Sequence, residues 1–214
     1  MIKIESGKKI VIAGWLLAVT ALLGTGLMVG VNWHSKPFIT ENERLVLLRT
    51  LNSVLPSDIY NNDIVSDIVF AVDAELLGGP NETTIYRARL DSKPSAAVLK
   101  VIAPNGYSGP ILLLVGIDMS GDILGVRVVK HKETPGLGDG IEIQRSNWID
   151  SFTGKSQQNP NAIGWKVKRD GGEFDQFTGA TITPRAIVAA VHKVLIYFER
   201  HQGNIFSSSK ILTE

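Results

Sequence analysis

Residues 10 to 31 read I-V-I-A-G-W-L-L-A-V-T-A-L-L-G-T-G-L-M-V-G-V, 22 positions without a charge. As a helix this run is long enough to cross a bilayer core of about 30 Å. Trp15 and Trp33 stand near its two ends, where interfacial aromatics belong. Lys3, Lys8 and Lys9 precede it, and Lys36 alone follows closely. The positive-inside rule therefore predicts a cytoplasmic N-terminus over 1–9, a single transmembrane anchor over 10–32, and everything later on the outer side. A cleaved signal would have a shorter apolar core and a small-x-small site; V-N-W-H-S is a poor one, so the anchor is expected to stay.

Composition removes several classes. The net charge of +1 over 214 residues offers no basic face for nucleic acid. The chain has no cysteine, so it carries no disulfide, iron–sulfur ligand or thiol nucleophile of its own. His34, His131, His192 and His201 are too widely spread for a zinc-type cluster.

After the anchor, T-E-N-E at 40–43 has the form of a capping box, and Leu45, Leu47, Leu48, Leu51, Val54 and Leu55 follow at helical spacing until Pro56. Residues 33–80 are read as a helical connector. From Thr83 the pattern turns to strands: T-T-I-Y-R-A-R-L, A-A-V-L-K-V-I-A, and the pair I-L-L-L-V-G-I-D and I-L-G-V-R-V-V-K joined by M-S-G-D as a hairpin. S-N-W-I-D-S-F reads as a short helix, and G-W-K-V-K-R-D as a last strand. A final helix is expected from Pro184 to about Arg200, with Thr183 as its N-cap and Pro184 at its first position. The fold class is α+β: one transmembrane helix, then a domain over 81–214 with a mainly antiparallel sheet and flanking helices.

One stretch asks for more than a cap. D-Q-F-T-G-A-T-I-T-P, residues 175–184, places Thr178, Thr181 and Thr183 around a Gly-Ala pair just ahead of that helix. A helix N-terminus offers free N–H groups and partial positive charge, and so favours a phosphate. A threonine hydroxyl there is placed to touch a phosphate, or to be esterified by one with an outside activator. Local physics alone favours a plain cap.

Resemblance changes that balance. D-Q-F-T-G-A-T, Asp175 to Thr181, is similar to the D-x-x-[ST]-G-A-T motif of the FMN-binding domain family. Members include the G subunit of Rnf-type (Rsx) electron transport complexes and the C subunit of the sodium-translocating NADH:quinone reductase. G-Y-S-G-P-I at 106–111, V-G-I-D at 115–118 and H-K-E-T-P-G-L-G at 131–138 resemble the Rnf subunit in particular. The resemblance implies FMN held covalently through a phosphoester on Thr181, with Asp175, Thr178, Gly179 and Ala180 as the rest of the motif. It implies a bacterial inner-membrane protein whose periplasmic domain relays electrons as a redox subunit, with no complete active site of its own. The partners implied are the other Rnf complex subunits and a magnesium-dependent flavin transferase that takes FMN from FAD.

Glu133, Thr134, Gly136, Leu137 and Gly138 form a second constellation, read on the same resemblance as a loop against the flavin, and on local grounds as a T-P-G turn with Gly136 at positive φ. His131 reads as structural. Lys166, Lys168, Arg169 and Arg185 are candidate phosphate partners, and Tyr107 a candidate stacking ring. Two other readings stand beside this one: the quinone reductase C subunit, and an anchored scaffold or binding module without a cofactor, in which T-G-A-T is only a helix cap.

Overall fold

The computed structural model describes the backbone of residues 2–207 and 212–213, and the side chains of 11–35 and 42–207. The chain forms two units, Met1–Leu47 and Leu48–Glu214.

Helix α1 runs from Ile2 to Asn52. Within it, Val11–Ser35 is the one segment among the described residues long and apolar enough to cross a membrane; its 25 residues rise about 37 Å as a helix. The helix passes through residues 40–43 without a break, so T-E-N-E starts nothing. A helix already propagating needs no cap. The side chains of Thr40 and Glu41, and Lys3, Lys8, Lys9 and Lys36, lie outside the described residues.

In the second unit, five strands form an antiparallel meander: β1 Ile68–Asp73, β2 Gly79–Leu90, β3 Lys93–Ala103, β4 Ile111–Asp118 and β5 Ile123–Lys130. The spatial order is β5-β4-β3-β2-β1-β6, and β6, Leu212–Thr213, pairs in parallel with β1. The mainly antiparallel α+β fold expected from sequence is the one found. The connector differs. It is helical only to Asn52, and β1 lies inside the 33–80 stretch, pairing Ile68 with Tyr86 and Ala71 with Thr83.

Helix α2, Ile182–Ser207, covers one face of the sheet. Ile187, Val191, Val194, Leu195 and Phe198 pack with Ile85, Leu99, Val101, Leu113 and Val115, which strand alternation turns to a common side. On the opposite side Val98 and Leu114 are buried, as are Leu51, Val54 and Leu55, and Val54 and Leu55 lie against Gly116. The segment read as a last strand is instead a tight loop. A 3-10 turn spans Lys168–Asp170, and one bridge joins Val167 to Phe174. Its alternation was real, since Trp165 and Val167 are buried while Lys166 is exposed. The burial is against Phe152 and Phe174, beside the sheet rather than in it.

Candidate functional site

Two turns of the same design bring the sequence-flagged residues together. In the first, Leu137 N–H donates to the Thr134 carbonyl at 3.1 Å, with Pro135 second and Gly136 third at φ +80°, as in a type II turn. In the second, Ala180 N–H donates to the Phe177 carbonyl at 3.1 Å, with Gly179 third at φ +80°. Neither glycine has another atom within 4 Å of where a Cβ would stand. The T-P-G turn read from sequence is therefore present, and it faces a second turn at residues 177–180.

Between them lies a cleft of about 210 Å³, lined by Tyr107, Glu133, Thr134, Leu137, Gly138 and residues 179–183. Leu137 also borders a wider, more open cleft with Pro135, Gly136, Asp139, Gly140, Arg145, Ser146, Phe177 and Thr178. Every motif and loop site residue named from sequence borders one of the two except Asp175, and Lys166, Lys168, Arg169 and Arg185 border neither. Asp175 is exposed, ion-paired to Lys168 at 2.6 Å, and accepts Trp148 Nε1–H on its carbonyl at 2.7 Å.

The three threonines are in three environments. Thr181 is half-buried at the head of α2, its carbonyl accepting Arg185 N–H at 3.3 Å. Thr178 is exposed on the wider cleft. Thr183 is fully buried at 0% exposure. It is not the N-cap that the sequence predicted, because its hydroxyl donates to Glu133 Oε2. Thr181 takes the position ahead of the helix instead. The N–H groups of Ile182 and Thr183 have no acceptor among the described residues, and Pro184 has none to offer. The helix thus opens with unpaired donors directly after Thr181.

Glu133 is 4% exposed. Its Oε1 accepts Ser108 N–H at 3.0 Å, and its own N–H donates to His131 Nδ1 at 3.1 Å. That bond puts the imidazole proton on Nε2, which donates to Glu142 at 2.7 Å, so His131 is a strut of the loop, as read. Asp139, also buried, accepts Gly136 N–H at 2.9 Å.

Two of the four candidate cations, Arg185 and Lys168, are engaged in ion pairs. Arg185 binds Asp170 through Nε at 2.5 Å and Nη2 at 2.6 Å. That hydrogen bonding holds the Asp170 carboxyl below its usual range and the guanidinium above its own. Lys168 is taken by Asp175. Arg145, which sequence reading missed, is 61% exposed on the wider cleft and holds Asp139 only at 3.4 Å through Nε. Its signal was there: it lies just beyond the glycine-rich loop, seven residues after Gly138. Phe177 was missed too, although it stands inside the motif; its ring packs on Gly140 and on Trp148.

The chain thus combines an N-terminal helix long and apolar enough to cross a membrane with an α+β domain whose cleft lies between two glycine turns at a helix N-terminus. Residues 106–196 match the FMN-binding domain family, and residues 1–54 match the RnfG N-terminal region. The G subunit of the ion-translocating oxidoreductase complex of Shewanella baltica (strain OS223) is 44% identical over 194 residues, 91% of this chain and 92% of that one. Its counterpart in Pseudomonas aeruginosa (strain UCBPP-PA14) is 47% identical over 192 residues, 90% of each chain. The chain belongs to this family, the G subunits of ion-translocating oxidoreductase complexes. A crystal structure of Shewanella oneidensis NqrC aligns over 73% of each chain at 21% identity and a TM-score of 0.47.

Proposed function

We propose that this chain is the covalent-FMN carrier of its complex, with Thr181 as the attachment residue. The observation that carries the reading is the contrast among the threonines. Thr181 alone combines partial exposure, a place at the helix head and a seat on the narrower cleft, while Thr183 is buried and spent on Glu133.

The residues present fit the group. The phosphoester would sit at Thr181, beside the unpaired N–H groups of Ile182 and Thr183, where the helix dipole favours negative charge. Tyr107, Leu137 and Ile182 give the cleft apolar walls, and Thr134 and the turn backbones supply polar contacts at its edge. Leu137, shared by both clefts, and Phe177 on the wider one offer apolar surface for a ring system. Bound FMN would supply the electron-transfer chemistry that the side chains of this chain lack.

Attachment needs FAD and a separate magnesium-dependent flavin transferase. The Thr181 oxygen forms a bond to the flavin-side phosphorus, the pyrophosphate linkage breaks, and AMP leaves with the hydroxyl proton. Gly179, whose Cβ side is open, leaves the approach clear, and exposed Asp175 gives the transferase a handle. The apolar span Val11–Ser35 anchors the chain in the bacterial inner membrane. The lysines before it set the N-terminus in the cytoplasm and the domain in the periplasm. There the domain relays electrons among the other subunits, and a covalent bond keeps a cofactor that would otherwise be lost outside the cell.

The test is intact mass. Purified from its native membrane and denatured, the chain should exceed its sequence mass by one FMN less one water, and Thr181→Ala should lose that excess completely while folding normally. An unmodified, colourless wild type sinks the carrier reading and leaves the scaffold.

A further inference from the structure

Three chain segments wall the narrower cleft: the loop at 106–108, the loop at 131–138, and the head of α2 with the turn before it. One side chain touches all three. The Glu133 carboxyl accepts Ser108 N–H on Oε1 and the Thr183 hydroxyl on Oε2. A Cβ on Gly106 would come to 2.9 Å from Oε1, and one on Gly138 to 2.9 Å from Oε2. Two glycines therefore leave the space this carboxyl fills.

Sequence reading placed Glu133 among the residues that hold FMN. The geometry gives it other work. Each carboxyl oxygen already has a protein donor, and the side chain is buried, so both oxygens are engaged in tying these segments together. Thr183 in turn is two positions from Thr181. The head of α2 needs such a hold: its opening backbone bond, Arg185 N–H to the Thr181 carbonyl, is long at 3.3 Å, and Pro184 removes a further donor from the first turn.

We propose that Glu133 is a positioning residue: through Thr183 it fixes the start of α2, and with it the Thr181 hydroxyl, without touching the cofactor. This rests on Thr181 being the attachment site. The carboxyl acts as a hydrogen-bond bracket. A glutamine can fill it, with its carbonyl accepting from Ser108 and its amide donating to the Thr183 oxygen. An alanine takes the acceptor from the Ser108 N–H and leaves the buried Thr183 hydroxyl bare.

The experiment follows mass gain against time for the full-length chain in detergent, supplied with FAD, magnesium and a flavin transferase. Glu133→Ala and Thr183→Val should each load about tenfold more slowly than wild type, and the double variant no more slowly than the slower single one, because both break one path. Glu133→Gln should stay within about threefold of wild type, the conservative replacement restoring the bracket. The loaded fraction of every variant should keep the wild-type visible absorption bands, which a loss of direct ring contact would shift.

Losses that multiply in the double variant overturn the proposal, as does Gln loading as slowly as Ala, or a band shift in loaded Glu133→Gln. If Glu133→Ala does not fold, Thr183→Val against Thr183→Ser decides. A slow Val beside a near-normal Ser upholds the bracket, and a Val that loads like wild type ends it. A wild type that gains no mass defeats the attachment reading itself and takes the bracket with it. A wild type that loads while the variants depart from this pattern defeats the bracket alone.

Discussion

The rear of the sheet and the mouth of the cleft each depend on a pair of glycines, for opposite reasons. Gly116 and Gly125 stand opposite each other on β4 and β5, and the backbone of Val54 lies in the dent they leave. A Cβ on Gly116 would come to 2.4 Å from the Val54 carbonyl oxygen, and one on Gly125 to 3.0 Å from the Val54 Cα. Gly136 and Gly179 have the reverse character: ample room, but a φ of +80° that side chains adopt at a cost. The rear pair lets distant parts of the chain close on each other. The cleft pair shapes a surface that stays open. Stability should answer to the first and cofactor loading to the second.

The strongest way to break that division is Gly116→Ala. The added methyl meets backbone, which has little freedom to yield, and overpacking of this kind costs about 3 kcal/mol. Chemical denaturation of the full-length chain in detergent should show a much lower midpoint, with Gly125→Ala milder because its contact is looser. The folded fraction of either variant should take up FMN at the wild-type rate. A Gly116→Ala chain of normal midpoint, or one that is stable but loads slowly, contradicts the separation.

Gly179→Ala should do the opposite. Its stability cost is about 1 kcal/mol, from forcing an L side chain into the left-handed region, and Gly179→Asn should cost less, because asparagine tolerates that region. Both put a side chain on the approach to Thr181, so both should load slowly in the mass assay. If Asn restores loading along with stability, the glycine is needed for its conformation alone, and access to Thr181 plays no part.

What could be read from the chain follows the same line. β2 to β5 were legible because alternation and turn residues are local, and the hairpin from β4 to β5 fell where M-S-G-D placed it. β1 was not, since its six residues lie inside the stretch read as a helical connector and gain their strand character from pairing with β2. The last strand failed because burial against an aromatic cluster gives the same alternation as burial in a sheet. At the site, the motif and the glycine loop could be named as sequence blocks, but not their contacts. Thr183 looked like a cap because nothing local reveals a carboxyl acceptor 50 residues earlier. The hydrogen bonds of Glu133 to Ser108 and Thr183 were hidden for the same reason.

A smaller effect tests whether α2 beyond its first turns matters to the cleft at all. The His192 ring lies parallel to Trp165, 5.2 Å away with 4° between planes. Burial holds its imidazole pKa below the ordinary 6.5. As pH falls, the unfolded chain therefore takes up this proton before the folded one does. The stability tied to the neutral ring is complete above about pH 6.5 and declines as pH drops toward the lower folded value. Between pH 7 and 5.5 the wild type should lose stability somewhat more steeply than His192→Phe, which keeps a ring against Trp165 and has no proton to gain. The difference should be modest, because the ring is only half-buried, and the other three histidines are common to both chains. Loading at pH 7 should be the same in both. Parallel stability curves would remove His192 from the pH response, whereas slower loading in His192→Phe would mean that the cleft answers to packing along α2 and not only to the bracket and turns at its head.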